Sequence, residues 1–238
     1  MAAGIPEEKK AKRGKAAALS SRAPTACPRV GDERDELCDV VDELYRIQLI
    51  TATGGNVSVR VPGEEAIWIT PSGMFKGGLN PEIMVKVGMD GRKIGEGGAP
   101  SSESVVHLAI YRARPSANAV IHCHAPNATI LANTGLPFLP ISTEAAFVGE
   151  VPHLPFIMPG TTELAEAVGK AAEDSHAVLL KNHGLLVAGL SLRKAADMTE
   201  VVERTAEIIL GCYAVGKEPP VLPDDVIAQL REMGEMMA

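Results

Sequence analysis

Two histidines separated by one residue, His122-Cys123-His124, are the sharpest chemical signal in the chain. On a strand, alternate side chains face one side, so both imidazoles project together while Cys123 points away. Each ring brings nitrogens that need partners once buried, and a divalent metal with Zn–N bonds of about 2.0–2.1 Å supplies one. Two hydrogen-bonded strand histidines satisfy the same spacing, so the pair alone leaves both readings open. A third ligand is available in His183, within Asn182-His183-Gly184, at a turn between two strongly apolar segments. His107 stands four residues after Glu103 on one helix face and is expected to pair with that carboxylate. His153, between prolines, and His176, at a helix–strand join, read as surface or packing residues.

Glu103 stands at the start of that helix, where an acid complements the helix dipole. Beside a metal, the same carboxylate can serve as general acid and base. Ser101, Ser102 and the free N–H groups of the helix start form an anion site, and Gly54-Gly55-Asn56 and Ser72-Gly73 are two further donor-rich turns. Any one of these turns is commonplace. Three of them beside three histidines in one domain carry more weight than any one as candidate anion sites.

The elements that must position these residues are legible from periodicity and punctuation. Leu37, Val40, Val41, Leu44 and Ile47 recur at helical spacing, predicting a helix from Asp32 to Gln48. A glycine turn then leads into alternating Asn56 to Arg60, and Ala66 to Thr70 forms a second strand. Met84 to Gly88 and Lys93 to Glu96, joined through Asp90-Gly91, predict a hairpin. A serine-capped helix runs to about Arg114, followed by a strand Ala119 to His124 and a helix from Pro126. Further on come a helix capped at Gly160-Thr161-Thr162, strands Ala177 to Lys181 and Leu185 to Ala188, and a long helix from Ser191 to Tyr213. The Pro-rich Glu218 to Pro223 leads into a last helix. Mixed strands and helices with a hairpin and no internal repeat predict one α/β domain over residues 32–238.

Composition sets the outer limits. At 238 residues and 46% hydrophobic, the chain has material for a sizeable core, and 22% charged residues exclude wholesale disorder. A net charge of −7 and only eight aromatics argue against nucleic acid as a partner. No apolar run approaches the roughly 18–20 residues of a membrane span. Charge is uneven: residues 1–30 carry +5 and the remainder −12, so residues 1–31 read as a basic, disordered extension without the apolar core of a secretory signal. Cys27, Cys38, Cys123 and Cys212 form no regular framework and read as thiols of a reducing compartment, with the cytoplasm as default.

In order, Thr53-x-Gly55-Asn56-x-Ser58, Thr70-Pro71-Ser72-Gly73, Ser101-Ser102-Glu103, His122-x-His124 and Asn182-His183-Gly184 resemble the class II aldolase/adducin-head family over about residues 33–225. The ordered set is specific where no single member is. The resemblance implies a three-layer α/β/α fold around a largely antiparallel sheet, and a homotetramer with active sites at subunit interfaces. It implies zinc on His122, His124 and His183, with Glu103 near or on the metal as acid/base. It implies a substrate phosphate held by Thr53, Gly55, Asn56, Ser72, Gly73, Ser101 and Ser102. The activity it implies is cleavage of a small phosphorylated ketose, L-fuculose-1-phosphate-like, to dihydroxyacetone phosphate and an aldehyde through a zinc-stabilised enediolate. Epimerase, dehydratase and decarboxylase chemistries of the same family share its first half, and adducin-like heads keep the fold without catalysis. A metallohydrolase would use the same ligand types. The chain departs from the family where sugar-phosphate aldolases carry a tyrosine and the epimerase an aspartate: Ile141 and Ala145 stand there. Glu144 and Tyr213 are the candidate replacement acids.

Overall fold

The computed structural model describes residues 31–237, so the basic extension expected over residues 1–31 lies, apart from Gly31, outside the described residues. The elements, in chain order, are α1 (Glu33–Arg46), β1 (Asn56–Arg60), β2 (Ala66–Ile69), β3 (Val85–Gly88), β4 (Lys93–Ile94), α2 (Ser104–Ala113), β5 (Ala119–Cys123) and α3 (Pro126–Thr134). The second half continues with α4 (Thr143–Val148), β6 (His153–Leu154), α5 (Thr162–Ala172), β7 (Ala177–Leu180), β8 (Gly184–Gly189), α6 (Leu192–Ala214) and α7 (Asp224–Met237). Every helix and strand expected from periodicity is present within a few residues. Two short elements, α4 and β6, had no periodic signal because six and two residues are too few to show one.

The strands form one eight-stranded sheet in the order β4-β3-β2-β1-β5-β8-β7-β6. Every recorded pairing is antiparallel except β6 with β7. Alternation along the strands divides the core into two layers. Val57, Val59, Ile121, Cys123, Leu179, Leu185 and Val187 join the core beneath α1, α3 and α6. Ile67, Ile69, Val120, Val178, Leu180, Leu186 and Ala188 join the other, beneath α2 and α5. Helices on both faces make this the expected three-layer α/β/α domain.

Four helices begin where a side chain closes the first turn. Asp32, Ser142, Thr161 and Ser191 each accept from a backbone N–H one turn on. α2 departs from this pattern and from the expected serine cap. Its N-cap is Glu103, which makes no side-chain cap bond. Ser101 Oγ instead accepts from the Glu103 N–H at 3.3 Å, one step before the helix. The glutamate is thereby left to face the histidines.

Candidate active site

Three turns meet at one end of the central strands, stitched by backbone hydrogen bonds. The Lys76 N–H donates to the Ala52 carbonyl, that of Ser72 to Ala99, and that of Ser101 to Thr70. They wall a pocket of about 270 Å³ lined by Thr53, Gly54, Gly55, Asn56, Pro71, Ser72, Gly73, Lys76, Ser101, Ser102, Glu103, His124, Pro159 and His183. All seven residues expected to hold the phosphate are among them. The glycines are demanded by the packing: a Cβ on Gly54 would sit 2.8 Å from the His124 ring, and Gly55 has φ +82 with the Ile50 side chain against it.

Lys76 was missed. Nothing in Met-Phe-Lys-Gly-Gly marks this lysine as a site residue. In the structure it is only 2% exposed. Its ammonium makes one long hydrogen bond, 3.5 Å, to the Pro71 carbonyl. Burial lowers its pKa. A buried cation on the wall of a pocket lined with hydroxyls and turns is a counter-charge for an anion. The available signal was its distance from Ser72-Gly73, three residues after the turn already marked as an anion site.

The histidines converge at the pocket floor. His122, at the end of β5, is 1% exposed and lies behind His124 and His183. The nitrogens that the three rings offer lie within 4.8 Å of one another. His183 comes from the β7–β8 turn, in which Asn182 takes φ 58 and Gly184 lets the chain pass the Cys123 carbonyl and the His124 ring. Cys123 points to the opposite, apolar face as expected, and burial pushes its thiol up to about 12. His153 and His176 are not part of the cluster.

The polarity of this cluster can be worked out. His122 Nδ1 donates to the Leu185 carbonyl at 3.1 Å, which uses the single N–H of a neutral ring. Its Nε2 is then a bare lone pair, buried and without a hydrogen bond. It faces Glu103 Oε2 at 3.3 Å, while Glu103 Oε1 stands 3.2 Å from His183 Nε2. Burial holds His122 below the ordinary histidine range. Burial pushes the Glu103 carboxyl up, but the hydrogen bonds from His183 and the Asn56 amide act the other way and lower it. Two electron-rich groups facing at such a distance repel unless a cation lies between them, so this donor set fits a divalent metal ion.

His107 does not pair directly with Glu103, as i, i+4 spacing had suggested. Its Nε2 donates to Asn56 Oδ1 at 2.5 Å, and Asn56 Nδ2 donates to Glu103 Oε2 at 2.9 Å. The candidate replacement acids stand outside the pocket of this chain. Glu144 is exposed in the first turn of α4, and Tyr213 is half-buried near the end of α6. Ala145 is fully buried and Ile141 packs against the core beneath α6. Among the described residues, no helix is long and apolar enough to cross a membrane.

Comparison with known proteins agrees with this geometry. Residues 35–210 match the family model described as the class II aldolase and adducin N-terminal domain. The L-fuculose phosphate aldolase of Escherichia coli (strain K12) is 36% identical over 199 residues, covering 83% of this chain and 91% of the relative. The 3-oxo-tetronate 4-phosphate decarboxylase of the same organism is 34% identical over 207 residues, covering 83% and 94%. A solved L-fuculose 1-phosphate aldolase superposes with a TM-score of 0.80 at 33% identity, covering 87% of this chain and 98% of that one. With the sequence motifs assembled into one pocket and three-quarters of the chain matched, the protein belongs to the class II aldolase and adducin N-terminal domain family.

Proposed function

We propose that this chain is a zinc-dependent lyase that cleaves a small phosphorylated ketose, of the L-fuculose 1-phosphate kind, to dihydroxyacetone phosphate and an aldehyde. The observation that carries the reading is the bare Nε2 of His122 facing the ionised Glu103 beside two further imidazoles. His122, His124 and His183 would hold the metal, with Glu103 beside it. The ion supplies Lewis acidity at the carbonyl and adjacent hydroxyl oxygens of the substrate.

The remaining work falls to the protein's own groups. Thr53, Gly55, Asn56, Ser72, Gly73, Ser101 and Ser102 surround the substrate phosphate, and Lys76 supplies its counter-charge. That grip places the carbon alpha to the carbonyl against Glu103. In the cleavage direction the carbon–carbon bond breaks, the distal hydroxyl loses its proton as it becomes the aldehyde, and the alpha carbon gains one. In the synthetic direction ionised Glu103 removes that proton; in cleavage it first takes up a proton from solvent and then delivers it to carbon, so that it ends ionised again. The distal hydroxyl needs a second group, which a neighbouring subunit of a homotetramer would bring; Glu144 and then Tyr213 are the candidates.

One observation favours a second reading. Among the described residues, no second carboxyl or phenol lines the pocket, and loss of carbon dioxide from a 3-oxo acid phosphate needs no acid at an aldehyde oxygen. Incubation with L-fuculose 1-phosphate, 5-deoxyribulose 1-phosphate and 3-oxo-tetronate 4-phosphate separates the two. Triose phosphate with an aldehyde supports the aldolase, carbon dioxide supports the decarboxylase, and inorganic phosphate alone points to a hydrolase.

A further inference from the structure

Beneath α2 the sheet carries a second set of polar side chains that substrate binding does not explain. Ser58, His107 and Tyr111 are each at most 1% exposed. They join Asn56 and Glu103 in one hydrogen-bonded row: Tyr111 Oη to Ser58 Oγ at 2.9 Å, Ser58 Oγ to His107 Nδ1 at 2.7 Å, His107 Nε2 to Asn56 Oδ1, and Asn56 Nδ2 to Glu103 Oε2. The row exists because two periods coincide. Glu103, His107 and Tyr111 are four residues apart on one face of α2, about 6 Å per step. Asn56 and Ser58 are two residues apart on one face of β1, about 6.6 Å per step. Helix and strand therefore present their polar groups in register.

The direction of every bond follows from Asn56. Its amide nitrogen only donates and faces Glu103 Oε2, and its amide oxygen only accepts and faces His107. His107 Nε2 must then carry a proton. Burial pulls the His107 pKa down to about 4, so the ring is neutral and its Nδ1 accepts. Ser58 has one proton to give and gives it to His107, which leaves Tyr111 as donor to Ser58. All four donors point toward the carboxylate.

We infer that His107 is a positioning residue for Glu103: backed by Ser58 and Tyr111, it locks the Asn56 amide so that an N–H is aimed at Oε2 and the carboxylate is held in one orientation at the pocket wall. This rests on Glu103 being the acid/base group of the proposed reaction. His107 never touches the substrate, and Asn56 is the link through which it acts.

The test uses two near-isosteric variants. His107→Gln places an amide N–H where Nε2 stood, whereas His107→Asn places it near Nδ1, short of Asn56. Deuterium exchange into dihydroxyacetone phosphate is followed for wild type and both variants, with melting temperature recorded alongside. His107→Asn should lose about 10- to 100-fold in kcat with KM nearly unchanged, as for other residues that orient a reacting group. His107→Gln should recover most of that loss. Equal rates in all three proteins, or an equal loss in both variants that tracks their melting temperatures, would overturn the inference. If wild type itself exchanges no deuterium, it is the proposed reaction that fails. The inference then stands or falls on 15N NMR of the histidine-labelled wild-type protein, where His107 should be the neutral Nε2–H tautomer. An Nδ1–H tautomer or an imidazolium overturns it.

Discussion

Strands β1 and β5 run side by side, and their two faces are built on opposite plans. One face carries Val57, Val59, Ile121 and Cys123, all buried in the core beneath α1, α3 and α6. The other carries Val120 but also Asn56, Ser58 and His122, equally buried, with Asn56 directly opposite His122 in the register. Backbone and burial are shared, and only the side-chain chemistry differs. The apolar face asks of its covering helices mainly volume and close packing. The polar face asks for one partner per group, because a buried polar atom left unpaired costs about 1–3 kcal/mol. α2 answers with Glu103, His107 and Tyr111, and the lone pair left unanswered, on His122 Nε2 beside Glu103, is the one that fits a metal. Polarity in this core is therefore concentrated where chemistry is expected, and the opposite face gives the sheet its rigidity.

Substitutions on the two faces should separate function from stability. The largest effect on activity is expected on the polar face. Glu103→Gln should fold and still bind phosphate, yet lose at least about 10²-fold in proton exchange at the alpha carbon. His122→Ala and His183→Ala should lose metal as well, from about one ion per chain in the wild type, as measured by elemental analysis. Full metal content in both variants would erase the distinction between the faces. Ile121→Ala, on the apolar face, should do the reverse. Its cost is about 2–5 kcal/mol of stability in denaturant titration, with metal content and activity per folded molecule retained.

Lys76 sharpens the comparison from the pocket side. Lys76→Met should weaken binding of the phosphorylated substrate by about 10- to 100-fold, the worth of a charge-assisted bond. Without ligand the variant should be no less stable, since it removes a buried ammonium whose single hydrogen bond is long. The sign of the pH effect follows. Burial depresses the lysine in the folded chain, so the unfolded chain binds more protons on the alkaline side, and stability from this group rises with pH up to its ordinary value of 10.5. Titration of stability with and without inorganic phosphate, in wild type and Lys76→Met, measures that slope.

The smallest effect expected is a pH slope from His107. Its folded pKa of about 4 lies below its ordinary 6.5, so the unfolded chain binds more protons between those values. Stability from this group is full above that window and is lost as pH falls through it. His107→Gln cannot take the proton, so its stability should decline less steeply between pH 6.5 and 4. An unchanged slope would mean that the buried imidazole is not held neutral by its surroundings.

Much of this molecule was determined by the sequence alone. Helix and strand positions followed from apolar periodicities of 3.6 and two, because burying one face of each element is the dominant local constraint. The glycine, serine and histidine motifs marked out the residues that the fold gathers at one pocket, because the ordered set is specific where each member alone is commonplace. What only the tertiary structure decided are relations between distant segments. Spacing alone joined Glu103 to His107, whereas the fold inserts Asn56 between them, because β1 lies under α2 at a register that no local pattern encodes. No motif marks Lys76, and it is buried only because three stitched turns close around it. The bare Nε2 of His122 depends on a carbonyl at Leu185, 63 residues away. Local sequence constrains what each segment buries, and only the folded chain decides which buried groups meet.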